Sequence, residues 1–251
     1  MFLMLFACSK PAALSYLQVV DEGNLSQAAL SINQPIQIKF SSRINPDIRK
    51  SAINISNSRQ ESVDGYSFKV IGDTLEITGE LPTAANLSDA TFKPGEAYLV
   101  NIKGLPSMTS VSSLDGLFLK TNVTVQVSFL KLDDDSVLSA FDATTEPLRV
   151  LNLGKQHAIT VPQTQILSVR FGAAIDPRTV ADSELVVARD NQQPIACPTK
   201  LVSNAMSGAE LEISIPDFTG TAYIVLPSSL EGIGGRQLLR SMRQFRLRSA
   251  N

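Results

Sequence analysis

One pattern occurs twice in this chain and restricts its fold more than any other feature. Ile36-Gln37-Ile38-Lys39-Phe40-Ser41-Ser42-Arg43-Ile44-Asn45-Pro46 returns as Leu167-Ser168-Val169-Arg170-Phe171-Gly172-Ala173-Ala174-Ile175-Asp176-Pro177. Each copy alternates apolar and polar side chains up to a Phe, and four residues later reads Ile-[Asn/Asp]-Pro. Period-two alternation marks a half-buried strand and Asx-Pro marks a turn, so each copy is one strand-turn unit. Its recurrence predicts two copies of one all-β domain.

Further landmarks follow in the same order in both halves. Thr74-Leu75-Glu76-Ile77-Thr78 corresponds to Glu210-Leu211-Glu212-Ile213-Ser214, each running up to a proline, Pro82 or Pro216. Ala97-Tyr98-Leu99-Val100 is echoed by Ala222-Tyr223-Ile224-Val225. A Gly/Ser-rich stretch comes next, Gly104 to Gly116 and Ser228 to Gly235, and then a closing strand around Leu117-Phe118-Leu119 or Phe245-Arg246-Leu247. Val123 to Phe129 alternates strictly, as a half-buried strand must. Gly72-Asp73 between two apolar runs predicts a hairpin. The best helical candidate, Asp134 to Phe141, is short.

These landmarks resemble the bacterial Ig-like domain family first known from S-layer proteins. The first copy carries Phe40-Ser41, Ile44-Asn45-Pro46, Pro94-Gly95-Glu96-Ala97-Tyr98, Ser113-Leu114-Asp115-Gly116 and Phe118. In the second, Gly172 stands where the family has Ser, and no Pro-Gly pair precedes Tyr223. The resemblance covers most of residues 28–122 and 158–248 and implies two tandem Ig-like antiparallel β-sandwich domains. With 251 residues there is room for two such domains. The expected boundaries are a domain over 28–130, an interdomain segment over 131–157, and a second domain over 158–251.

The N-terminus reads Met1-Phe2-Leu3-Met4-Leu5-Phe6-Ala7-Cys8-Ser9-Lys10. Leu-Phe-Ala-Cys resembles a lipobox, in which the cysteine of a bacterial lipoprotein is lipidated. The apolar run before it would be a short export signal over 1–8, and residues 9–27 a tether. Ser9 carries no inner-membrane retention signal, so the resemblance implies an outer-membrane lipoprotein facing periplasm or exterior. The competing reading of Cys8 is a buried thiol or a disulfide with Cys197, the other of the two cysteines. Cys197 alone reads as a buried free thiol. Asn24, Asn54, Asn86 and Asn122 head Asn-x-[Ser/Thr] triplets, which in a bacterial chain are coincidental.

Few residues offer chemistry. His157 is the only histidine, no Gly-x-Ser-x-Gly elbow is present, and a histidine zinc centre fails on count. No acidic pair stands out for glycosidase work. Asp133, Asp134 and Asp135 are the one weak metal candidate, for calcium between the repeats; the competing reading is an exposed turn or helix N-terminus. Stacking platforms for sugars are scarce, with no Trp and four Tyr. Tyr98 and Tyr223, at matching repeat positions, are expected in the cores, which leaves Tyr16 and Tyr66. The net charge of −2 gives no reason to expect nucleic acid. Arg236, Arg240, Arg243, Arg246 and Arg248 cluster at the C-terminus, and alternation puts Arg246 and Arg248 on a solvated outer face or charged edge; the alternative is an anionic partner such as lipid headgroups or an acidic polymer.

The expectation is a non-catalytic structural or adhesive spacer without cofactor. It would be held at the membrane by a lipid and would present surfaces to a protein or polysaccharide partner. The alternatives are a lipoprotein binding a peptide or glycan at the domain junction, around residues 130–157, or accessory domains of a surface enzyme.

Overall fold

The computed structural model describes residues 16–21, 29–139, 146–154, 158–187 and 193–249. The first domain contains β1 (Val19–Asp21), β2 (Ile36–Phe40), β3 (Ile53–Asn57), β4 (Tyr66–Ile71), β5 (Thr74–Gly79), β6 (Ala97–Ile102) and β7 (Val123–Ser128). They form two antiparallel sheets in the orders β1-β2-β5-β4 and β3-β6-β7. With strands lettered A to G these are the ABED and CFG sheets of a constant-type Ig sandwich.

The second domain repeats this plan with β8 (Ile159–Thr160), β9 (Ile166–Phe171), β10 (Ser183–Val187), β11 (Ile195–Cys197), β12 (Thr199–Ala205) and β13 (Gly208–Ser214). It continues through β14 (Thr221–Val225), the small hairpin β15 (Glu231–Gly232) and β16 (Arg236–Gln237), and β17 (Gln244–Arg248). The sheet orders are β12-β13-β9 and β11-β10-β14-β17-β8. Single bridges make the equivalence exact to the residue. Val150 meets Phe171 as Val19 meets Phe40, Leu148 meets Leu238 as Leu17 meets Leu119, and Ile175 meets Gly232 as Ile44 meets Ser113.

The recurring motif has a physical explanation. Ile36, Ile38 and Phe40 of β2, and Leu167, Val169 and Phe171 of β9, all point into their cores. Each such side chain contributes about 1.5–3 kcal/mol on burial. The chain then turns on an Asx side chain: Asn45 Oδ1 accepts the Asp47 N–H at 3.0 Å, and Asp176 Oδ1 accepts the Arg178 N–H at 3.0 Å. The intervening proline fixes φ for that turn. Ile44 and Ile175, at most 1% exposed, anchor it. The expected β4–β5 hairpin forms through Gly72-Asp73, with Gly72 at a φ of 64°.

Several expectations need correction. Residues 16–21 are not tether: Leu17 is buried and β1 pairs with β2, because this short apolar run supplies the sandwich's first strand. Leu117-Phe118-Leu119 is not the closing strand, since only single bridges form there and β7 pairs with β6 instead. The described parts of the segment 131–157 belong to the domains. Val137 and Leu138 are buried in the first core, while Leu148 and Val150 are buried in the second. The helix over 134–141 shrinks to one 3₁₀ turn, Asp135–Val137, within the described residues.

A loop after β5 supplies a pH test. Burial alone would raise the Asp89 carboxyl. The Thr83 N–H at 2.9 Å, the Thr83 hydroxyl at 2.8 Å and the Ala84 N–H at 3.1 Å outweigh this and hold it below the usual aspartate range. A depressed carboxyl stabilises above its unfolded pKa and loses that contribution as pH falls through its folded value. Acidification below about pH 4 is therefore expected to loosen residues 82–90, read as amide exchange at Thr83 and Ala84. Asp89→Asn should abolish that acid step.

Candidate binding cleft at the domain junction

The two sandwiches meet end to end. The end of the second domain that carries Ile175, the β12–β13 turn and the β15–β16 hairpin lies on the first domain's opposite end. Ala174 and Ile233, each 4% exposed, cluster with the first core alongside Val137 and Leu138. The strap holding Val137 is itself fastened: Ile32 N–H donates to the Val137 carbonyl at 3.0 Å, and Ser31 Oγ donates to the Ser136 carbonyl at 2.6 Å. Asn33 Nδ2 donates to the Ser139 carbonyl, while Asn33 Oδ1 accepts the Ser139 N–H.

Asn204 bolts the junction. Its Oδ1 accepts the Ile175 N–H at 3.0 Å; its Nδ2 donates to the Ile175 carbonyl at 2.9 Å and to the first domain's Pro82 carbonyl at 2.8 Å. In the first domain the Gly72 carbonyl accepts the Ile44 N–H instead, so Asn204 replaces a backbone acceptor and gains a link across domains. Nothing in the sequence marks Asn204 or signals its partner Pro82.

Beside this contact lies a cleft of about 590 Å³, lined from the first domain by Asn33, Tyr66, Ser67, Lys69, Glu76 and Thr78 and closed by Met206 of the β12–β13 turn. Glu76 sits on its floor, held by Lys69 Nζ at 2.9 Å and Gln37 Nε2 at 2.8 Å. Met206, 40% exposed, lines its second-domain side. The cleft thus offers polar groups on a sheet face and one adaptable apolar side chain. It is lined by both repeats, but by β4, β5 and the β12–β13 turn instead of residues 130–157. Of those, Val137 and Leu138 are packed in the first core and Leu148 and Val150 in the second.

The expected site residues fare differently. Cys8 and His157 lie outside the described residues. Asp134 caps the 3₁₀ turn, its Oδ1 accepting the Ser136 N–H at 2.8 Å, and Asp135 exerts an attractive field on Arg178 across the junction. Arg178 is raised first by its bonds to Asp176 and only lastly by Asp135. Among the described residues, Asp133–Asp135 included, no group of three or more His, Cys, Asp or Glu could hold a metal ion. Cys197 is fully buried in the second core, and burial pushes its thiol up to about 11. Bridging to Cys8 would require that core to open.

Tyr98 is a core residue as expected, packed edge-on against Phe92 and Phe129. Burial pushes its hydroxyl up to about 12. Tyr223 is not: on β14 it is Ala222 and Ile224 that are buried. The echoed strings are displaced by one residue in register, and a one-residue slip turns a strand's side chains to the other face. Tyr66 gives its hydroxyl to the Ile53 carbonyl at 3.0 Å and lies under Lys50 Nζ at 5.1 Å, while Tyr16 lies under Lys120 Nζ at 5.4 Å. Both candidate stacking rings already face a cation. Arg246 and Arg248 are exposed opposite Phe245 and Leu247, as alternation predicts.

Among the described residues no helix is long and apolar enough to cross a membrane. No protein-family model matches the chain, and no curated protein matches it. Among solved structures it is similar to the N-terminal part of the bacterial S-layer protein SbsC, at 10% identity and a TM-score of 0.31 over 87% of this chain. It spans 42% of that S-layer chain's length. A titin structure is similar at 9% identity and a TM-score of 0.26, over 89% of this chain and 93% of its own. Such loose likenesses carry no functional argument. The Ig-like assignment stands on strand order and register within this chain.

Proposed function

We propose that this protein is a non-catalytic structural spacer: two Ig-like sandwiches locked head to tail, attached to the bacterial envelope through a lipid on Cys8. The junction is the observation that supports this reading. Apolar side chains of one domain are buried in the other, and Asn204 ties them by a hydrogen bond, so the pair acts as one stiff element. Stiffness is what a spacer or scaffold requires, and cofactors and turnover are not. Protein or polysaccharide at the cell surface is the partner class that such a scaffold would present itself to.

Fatty-acid probe labelling in a bacterial host, with and without globomycin, tests the attachment, using a version extended upstream if the genome allows. Labelling is expected on the native chain and lost in Cys8→Ser. Its absence with Cys8 intact would remove the envelope anchor from the account.

The cleft favours a second reading, a lipoprotein that holds an extended peptide or a glycan chain against the β4–β5 face. Lys69, Glu76 and Ser67 supply hydrogen bonds there and Met206 supplies an adaptable apolar contact. Glycan- and peptide-array binding that is lost in Met206→Asp would favour it over the spacer.

A further inference from the structure

The junction shows how one end of this sandwich is received by the opposite end of another, and among the described residues one copy of each end is left over. The upper end is where the Asx-Pro turn, the β4–β5 hairpin and the β6–β7 connection converge. There Ile44 N–H donates to the Gly72 carbonyl at 2.9 Å and Ile44 bridges Ser113. In the second domain the same end, built from Ile175, Asn204 and Gly232, is seated on the first domain.

The residue that inserts is Ile233, and its counterpart can be identified from backbone bonds. Ile233 N–H donates to the Ala174 carbonyl at 3.1 Å, as Leu114 N–H donates to the Arg43 carbonyl at 2.9 Å. Leu114 is therefore the first domain's Ile233. Ile233 is 4% exposed, whereas Leu114 is 60% exposed. Around it on the same connection stand Leu105, 39% exposed, Met108, 101%, and Phe118, 46%. An apolar knob that one repeat buries is held out in solvent by the other.

The matching receptor is the lower end of the second domain. A depression of about 230 Å³ lies there, lined among others by Val161, Pro162, Gln163, Pro216 and Phe218, with Asp217 beside it. Val161 takes its backbone bond from the last strand as Leu30 does at the first domain's receiving end, donating to Arg248 where Leu30 donates to Ser128. One pair of opposite charges is available, although Asp115 beside Leu114 is exposed too and Asp217 Oδ1 already accepts from Gln165 Nε2. Asp217 is exposed at this end, and the exposed Arg43 occupies Ala174's place at the other.

We propose that a second copy of this chain docks here, the upper end of one copy's first domain on the lower end of another's second domain. The contact uses the same two kinds of end as the junction within one chain, with Leu114 in Ile233's place and without Asn204's bond, because the Gly72 carbonyl stands there. It is heterologous, so each copy keeps one free end of each kind and assembly continues past two. The proposal rests on the junction geometry.

Sedimentation velocity over a range of concentrations tests it, using the full chain with Cys8→Ser. Mass is expected to rise with concentration beyond the dimer. Leu114→Asp and Asp217→Arg change exposed residues, and circular dichroism should show both folded; each should weaken association at least tenfold. Mixing the two variants should restore a one-to-one dimer and nothing larger, because each retains one working end. A monomer at every concentration would overturn the proposal. So would a species that stops at two, is lost in Leu114→Asp and is untouched by Asp217→Arg, since that pattern means upper ends facing each other.

Discussion

Phe92→Ala should cost the first domain about 3–5 kcal/mol, the range for removing a large buried aromatic side chain. Phe92 is 1% exposed, its ring stacked on Phe129 at 4.8 Å and edge-on to Tyr98 at 5.3 Å. The three rings close the core where β6 begins and β7 ends, and such pairs add about 0.5–1.5 kcal/mol beyond area burial. A domain of this size holds about 5–15 kcal/mol in total, so the loss is a large fraction of it. Urea unfolding followed by tyrosine fluorescence should show the first domain's midpoint falling sharply. A shift corresponding to less than about 1 kcal/mol, below the range for core aromatics, would mean that the ring cluster is not part of that core.

Asn204→Ala is the second large effect, and it differs in kind. The change removes the only side-chain hydrogen bond to Pro82 described across the junction and strips the Ile175 N–H and carbonyl of their partner. Leaving buried polar groups unsatisfied costs about 1–3 kcal/mol. Asn204→Asp separates the contributions. It keeps an acceptor for the Ile175 N–H but has no donor for the two carbonyls, so it should restore little and set a carboxylate against them. Equal stability of wild type, Asn204→Ala and Asn204→Asp in thermal unfolding would remove Asn204 from the account of the junction.

Much of the fold could be read from the chain because its signals are local. Strand alternation in β2 and β9, the Asx-Pro turns and the Gly72-Asp73 hairpin all depend on neighbours within a few residues. The first strand could not be read so readily. Val19–Asp21 is three residues long, too short for alternation to register, and only its bond to β2 and the parallel bridge from Leu17 to Leu119 reveal it. Tyr223 failed for a different reason. Identical letters in β6 and β14 suggested one register, while burial follows pairing with β3 and β10, which sets Tyr98 against Ala222.

The candidate cleft was legible only in outline. A junction between repeats was foreseeable, and so was the possibility that it binds something. Which residues line it was not, because β4, β5 and the β12–β13 turn are far apart in sequence and meet only through the docking of Ile233 and Asn204. The acidic run Asp133–Asp135 drew attention as a charge cluster, yet its clearest role is local, with Asp134 capping the turn that delivers Val137 to the core.

The central claim is that the two sandwiches form one stiff body. Residual dipolar couplings of backbone amides, measured in the Leu114→Asp background that keeps copies apart, test it most directly. One alignment tensor should fit residues 29–139, 158–187 and 193–249 together. Two distinct tensors, each fitting only its own domain, would show independent motion and contradict the account.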